Sequence, residues 1–114
     1  MPKLYGDAKI LTIYIGETDR YKGKPLYKVI IQMVKEKGLS GATVTRGIEG
    51  FGPSSSVRSA SILRLSMDLP IIVQIVDTED NINDLIPELE DIVKKGLVTI
   101  QDTEVVMYKA YNDN

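Results

Sequence analysis

Five glycines fall within fifteen residues, Gly38, Gly41, Gly47, Gly50 and Gly52, and Arg46, Arg58 and Arg64 lie in or beside that stretch. Glycine backbone comes close to a ligand and can turn its N–H groups toward a phosphate, while guanidinium groups pair with the charge. A strand that simply ends in a glycine turn uses the same residues. The stretch lacks the Gly-Lys-Ser/Thr of a Walker loop, and it opens no helix as a dinucleotide fingerprint does. Lys94-Lys95-Gly96 is a second cationic group. It complements a helix C-terminus, or it reaches a phosphate across a subunit interface. Asp77, Glu79 and Asp80 could hold Mg²⁺ or cap a helix, and capping is the simpler use. Ser54-Ser55-Ser56 has no neighbouring base to activate it as a nucleophile. Glu17-Thr18-Asp19-Arg20 with Lys22 and Lys24 reads as a solvated, charged turn.

Composition removes other chemistries. The 114 residues include no His, Cys or Trp. That excludes a Ser-His-Asp triad, an ordinary structural zinc site and any disulfide. Fourteen basic against sixteen acidic residues give a net charge of −2, which argues against a broad nucleic-acid surface. No apolar run approaches the roughly 20 residues of a membrane helix, and Met1–Asp7 lacks a signal peptide's apolar core. A cytoplasmic location is the expectation.

The elements that must position these groups follow from periodicity. Ala8–Ile15 alternates as a strand with apolar residues of both parities. Leu26, Val29, Ile30, Met33 and Val34 have helical spacing, with Pro25 in the first turn and Gly38 as a left-handed cap. Ala42–Ile48 is a second strand. From Glu49 to about Ser61 neither helix nor central strand is expected, and Ile62–Leu65 is a strand or a loop base. Pro70–Val76 is the clearest strand. Asp77 or Thr78 then caps a helix with Ile82, Leu85, Ile86, Leu89, Ile92 and Val93 as its stripe. Pro87 should kink that helix or mark its effective start, and Gly96 should end it. Leu97–Gln101, a turn at Asp102-Thr103, and Glu104–Tyr108 complete the chain. The order β-α-β-β-α-β predicts a single α+β domain over 1–114. It is a ferredoxin-like split βαβ sandwich, an antiparallel sheet with two helices on one face. Apolar residues on the other face predict a homo-oligomer.

Four motifs occur in order: Tyr14-Ile15-Gly16-Glu17-Thr18-Asp19-Arg20, Gly23-Lys24-Pro25-Leu26-Tyr27, Gly41 through Gly52, and Leu69-Pro70 through Asp77. Over about residues 8–108 the chain resembles the PII-like "domain of unknown function 190" family. Its Gly38–Thr45 and Gly50-Phe51-Gly52 resemble the segment leading into the T-loop of PII signalling proteins. The resemblance implies a ferredoxin-like homotrimer whose sheets line the centre. It implies ADP or ATP in clefts between subunits, with or without Mg²⁺, and a flexible T-loop-like segment at about 53–66 that docks on partners. Thr43, Gly50, Phe51 and Gly52 match PII positions that face nucleotide. Family members are often encoded near a small fluoride-export membrane protein, which implies a membrane transporter or channel as partner. The chain departs from PII in several places. It has one extra residue between Thr45 and Gly50, only Lys94-Lys95-Gly96-Leu97 in place of a glycine-rich phosphate loop, and Lys109 alone where PII has an arginine pair. It has no tyrosine in the loop to be uridylylated.

The leading expectation is a PII-like regulatory protein and not an enzyme. Backbone N–H groups around Gly47, Gly50 and Gly52 approach an adenine nucleotide, and Arg46, Lys94 and Lys95 offset its phosphates. The rivals are a slow Mg²⁺-dependent nucleotide phosphohydrolase using Asp77 or Glu79, and a structural trimer that binds no nucleotide.

Overall fold

The computed structural model describes residues 4–51, 58–59 and 68–110, with backbone alone at 58–59. Strand β1 (Gly6–Gly16) leads into a short hairpin, β2 (Arg20–Tyr21) and β3 (Lys24–Pro25). Then come helix α1 (Leu26–Glu36), β4 (Thr43–Arg46), the paired dipeptides β5 (Glu49–Gly50) and β6 (Arg58–Ser59), β7 (Pro70–Asp77), α2 (Glu79–Ile92) and β8 (Leu97–Val105). The main sheet is antiparallel with order β4-β7-β1-β8. That is the split βαβ order, with both long crossovers helical.

One parity of the two inner strands builds the core. Leu11, Ile13 and Ile15 on β1 and Ile71, Val73 and Ile75 on β7 are buried against Leu26, Ile30 and Val34 of α1 and Ile82, Leu85, Leu89 and Ile92 of α2. The other parity faces away from the helices. Thr12 is buried there, Ile10, Ile72 and Val76 are half-buried, and Tyr14 and Leu97 are exposed.

The caps follow the sequence. Gly38, at φ +74°, ends α1 as a Schellman motif. Its N–H donates to the Lys35 carbonyl, and the Leu39 N–H donates to that of Val34. Thr78 is the N-cap of α2 and its Oγ1 accepts from the Asn81 N–H at 3.3 Å. Thr78→Ala should therefore cost about 1 kcal/mol, read as a shift of the urea midpoint at constant slope.

Several expectations need correction. Pro87 does not mark the start of α2; it lies inside a continuous helix. Pro87 and Asn83 are both exposed, so the Asn83 carbonyl that loses its N–H partner can be met by water. The helix ends at Ile92, before Gly96, and the Val93 N–H still donates to the Leu89 carbonyl. No turn occurs at Asp102-Thr103, and there is no separate strand over 104–108. Asp102 to Val105 continue β8 because β1 extends back to Gly6, and residues 106–108 lie beyond the strand. Asp102 lies opposite Lys9 and forms an ion pair with it, and Thr103 lies opposite Ala8. That hydrogen bond to Asp102, and behind it the charges of Asp102, Glu79 and Asp7, raise the Lys9 pKa above its ordinary value. The second strand is shorter than Ala42–Ile48, breaking after Arg46. The solvated turn expected over 17–24 instead leads into the β2–β3 hairpin. Lys22 and Gly23, at φ +50° and +81°, turn the chain in the type I′ pattern. The expected T-loop-like segment at 53–66 falls outside the described residues, apart from the Arg58–Ser59 backbone. Ile62–Leu65 falls outside them entirely.

Candidate functional site

Register gathers the expected groups at one end of the sheet. β4 ends at Arg46, opposite Ile71; β7 begins at Pro70, opposite Gly16; Leu97, at the start of β8, lies opposite Tyr14. Arg46 and the Lys94–Gly96 segment thus share this end but stand on opposite edges. Three strand spacings, about 14 Å, separate them.

On the β4 edge the glycines pack against proline. The Gly47 N–H donates to the Pro70 carbonyl at 2.7 Å, and a Cβ on Gly47 would stand 2.8 Å from Pro70 Cγ. A Cβ on Gly50 would meet the same carbon at 3.4 Å. Gly47 is therefore needed for close approach of two backbones, and its N–H is occupied rather than offered to a ligand. Arg46 donates to Glu17 Oε2 at 2.6 Å, with its side chain 52% exposed and that of Glu17 16% exposed. Glu17 Oε1 is buried and has no hydrogen-bond partner among the described residues. Phe51 and Ile48 are strongly exposed apolar residues beside this edge. Thr43 is exposed and lies opposite Gln74 on the sheet face away from the helices. It is three residues from Arg46 and of opposite parity, so the structure does not bring the two side chains together. Gly52 lies outside the described residues.

The turn after β1 joins both arms of the segment that leaves at Gly47 and returns at Asp68. The Gly16 N–H donates to Asp19 Oδ2 at 2.8 Å, which closes the turn. From that turn the Glu17 N–H donates to the Leu69 carbonyl at 2.8 Å and the Thr18 N–H to Asp68 Oδ1 at 3.2 Å. Sequence reading treated 17–24 as a solvated turn and missed Glu17 as a neighbour of Arg46. The Gly16-x-x-Asp19 spacing, which lets a side chain satisfy the backbone three residues before it, was the available signal.

On the β8 edge Lys94 and Lys95 are exposed. They line a depression of about 250 Å³ with Asp19, Arg20, Leu26 and Ile92. A second of about 190 Å³ runs between α2 and β8 past Ile86, Leu89, Val93 and Val98. Gly96 fixes this edge. A Cβ there would stand 2.7 Å from the Tyr14 carbonyl oxygen.

Asp77 is committed elsewhere. It is buried at the opposite end of the sheet. Its Oδ2 accepts from the Ser40 N–H at 2.7 Å, and its Oδ1 accepts from the Thr78 N–H at 2.7 Å and Asn81 Nδ2 at 2.8 Å. Glu79 and Asp80 are exposed in the first turn of α2. Among the described residues no cluster of three or more Asp and Glu is arranged to hold a metal ion.

The DUF190 family model, described as "Uncharacterized ACR", matches residues 8–105. The UPF0166 protein of Methanocaldococcus jannaschii is 44% identical over 105 residues, 91% of this chain and 96% of its own. The chain belongs to the DUF190 (UPF0166) family. A UPF0166 protein of Aquifex aeolicus is 38% identical over 98 residues, 86% of this chain and 92% of its own. Among solved structures, CPII of Thiomonas intermedia K12 superposes with a TM-score of 0.65. It is described as a nitrogen regulatory PII-like protein bound to ADP, AMP and bicarbonate, is 20% identical, and the match covers 92% of each chain. A second CPII structure, bound to ADP and bicarbonate, gives 0.56 at 21% identity over 92% of this chain and 93% of CPII. At that identity the likeness is one of fold: this DUF190 protein has the PII-like, ferredoxin-like architecture. No helix among its described residues is long and apolar enough to cross a membrane.

Proposed function

We propose that this DUF190 protein is a PII-like regulatory protein. It binds an adenine nucleotide, ADP or ATP, in clefts between the subunits of a homotrimer, and it acts on a partner through the segment at about 53–66. One observation carries the reading: the two cationic groups, Arg46 and Lys94-Lys95, sit at the same end of the sheet on opposite edges. Within one copy their backbones stand three strand spacings apart, about 14 Å, with the turn at 16–19 between them. A head-to-tail ring sets the β4 edge of one copy beside the β8 edge of the next and joins them. The half-apolar sheet face bearing Ile10, Tyr14, Ile72, Val76 and Leu97 then turns inward. CPII, with the same fold, was solved with adenine nucleotides bound, which supports the choice of ligand class. Arg46, Lys94 and Lys95 offset phosphate charge, with Gly50 and Phe51 beside them and Gly52 following; the Gly47 N–H is held by Pro70. A membrane transporter or channel is the partner class that the family resemblance favours.

The test is titration calorimetry on nucleotide-stripped protein with ATP, ADP, AMP and cyclic dinucleotides, with and without Mg²⁺ and bicarbonate. Micromolar binding of one per subunit is expected. Arg46→Ala/Lys94→Ala/Lys95→Ala should weaken it at least about tenfold. An unmoved affinity in that variant would sink the site assignment. No heat from any member, at concentrations that reveal a Kd of about 1 mM, would remove adenine nucleotides altogether.

A further inference from the structure

We infer that Glu17 is an internal competitor for Arg46, so that a phosphate-bearing ligand must displace it and in doing so loosens the arms of the 47–68 segment. The inference rests on the nucleotide reading for its ligand half. The latch itself stands on the contacts alone. Arg46 is the cation on the β4 edge that a phosphate would take, and its guanidinium already holds Glu17 Oε2 at 2.6 Å. Glu17 is poorly placed to keep it without cost. Its side chain is largely buried, and its Oε1 is buried with no donor among the described residues. The pair leaves part of the Glu17 desolvation cost uncompensated, so the carboxylate regains hydration by swinging outward when an incoming phosphate takes Arg46.

Displacement would be felt beyond the pair because of where Glu17 sits. The same residue donates its backbone N–H to Leu69, and its neighbour Thr18 donates to Asp68, on the returning arm. Arg46 immediately precedes Gly47, whose N–H is held by Pro70 on that returning arm. The turn at 16–19 is thus tied to the outgoing arm by one ion pair and to the returning arm by two hydrogen bonds. The ion pair is the member of this set that uses a ligand-competent side chain. Linkage then requires reciprocity: a change that frees the Arg46 guanidinium from Glu17 strengthens ligand binding, and bound ligand weakens the pair.

Two variants separate the possibilities. Glu17→Gln keeps the shape and removes the competing charge; Arg46→Gln removes the cation. Both should speed amide exchange over 46–51 and 68–70 without ligand, since each opens the latch. On ADP their effects should diverge: Glu17→Gln tightens binding roughly three- to tenfold, and Arg46→Gln weakens it. In the unsubstituted protein ADP should speed exchange in the same amides, and adenosine, which has no phosphate, should not. Unchanged exchange in ligand-free Glu17→Gln would overturn the latch whatever ADP does. Weaker ADP binding by Glu17→Gln would overturn the competition and make Glu17 a positioning residue. Faster ligand-free exchange in both variants, with no ADP binding by any protein, would keep the latch and remove the nucleotide reading.

Discussion

Asp77→Ala loses about 3 kcal/mol or more of unfolding free energy, the expected result of leaving buried donors without an acceptor. The carboxylate takes the Ser40 N–H, the Thr78 N–H and the Asn81 side-chain amide, each within 2.8 Å. Two of these are backbone groups that cannot turn away toward water. The contact also joins separate elements, because Ser40 belongs to the α1–β4 connection and Thr78 caps α2. Ser40 is held from two further sides: its hydroxyl donates to the Val76 carbonyl, and its own carbonyl accepts from the Tyr108 hydroxyl at 2.9 Å. Removing Asp77 should therefore loosen the C-terminal tail as well as the helix cap. Urea unfolding followed by far-UV circular dichroism measures the first effect, and amide exchange at 39–42 and 106–110 the second. Asp77→Asn should lose less, since one carbonyl oxygen remains, but its NH₂ group must then face a donor. Loss of under 0.5 kcal/mol in the alanine variant would contradict the account. The phosphohydrolase rival makes a different forecast, a stable Asp77→Asn protein with lost phosphate release, so the same pair of variants separates the two readings.

Gly96→Ala should be comparably severe, at about 2–4 kcal/mol. Two penalties act together. The residue stands at φ +144°, which side-chain-bearing residues rarely adopt, and the added methyl would meet the Tyr14 carbonyl oxygen at 2.7 Å and Ile15 Cγ2 at 3.1 Å. Neither obstacle yields cheaply. The carbonyl belongs to the central strand, and Ile15 is buried in the core. Relief would move residues 94–96 outward, carrying both lysines with them. The variant should thus lower the urea midpoint and, on the nucleotide reading, weaken ADP binding in whatever fraction remains folded. An unchanged midpoint would mean that the segment between α2 and β8 has room the geometry denies it.

Much of this fold is legible in the sequence because its signals are local and agree with one another. Pro25, the 3.6-residue stripe and Gly38 bracket α1. Thr78 and the acidic pair after it open α2. The errors fall where a contact distant in sequence overrides a local preference. Asp102-Thr103 looks like a turn until Lys9 and Ala8 are placed across from it. Pro87 looks like a boundary until it is seen to lie on the solvent side of a helix whose stripe is already anchored. Lys22-Gly23 is a hairpin turn whose charged neighbours make it read as a solvated turn. The site was only half legible. Residue type pointed to Arg46, Lys94 and Lys95, but not to their separation on opposite edges, which depends on strand order. The role of Gly47 was misread, because its need for closeness comes from Pro70, twenty-three positions away. Glu17 was missed because a carboxylate in a charged loop looks like any other until its partner is known.

Strand order also sets when the molecule can form. Both strands that pair with β1 come late in the chain: Ile13 lies opposite Val73, sixty positions on, and Leu11 opposite Ile100, eighty-nine positions on. Helix α1 can begin to form locally, but β1, the strand at the heart of the sheet, has no partner until β7 has been made. At about 5–20 residues per second, an emerging chain holds Leu11, Ile13 and Ile15 unprotected for several seconds. Pairings this distant in sequence slow folding relative to a domain of the same size built from local contacts. A synonymous change that slows translation between codons 17 and 70 should lower soluble yield while leaving the stability of the finished protein untouched.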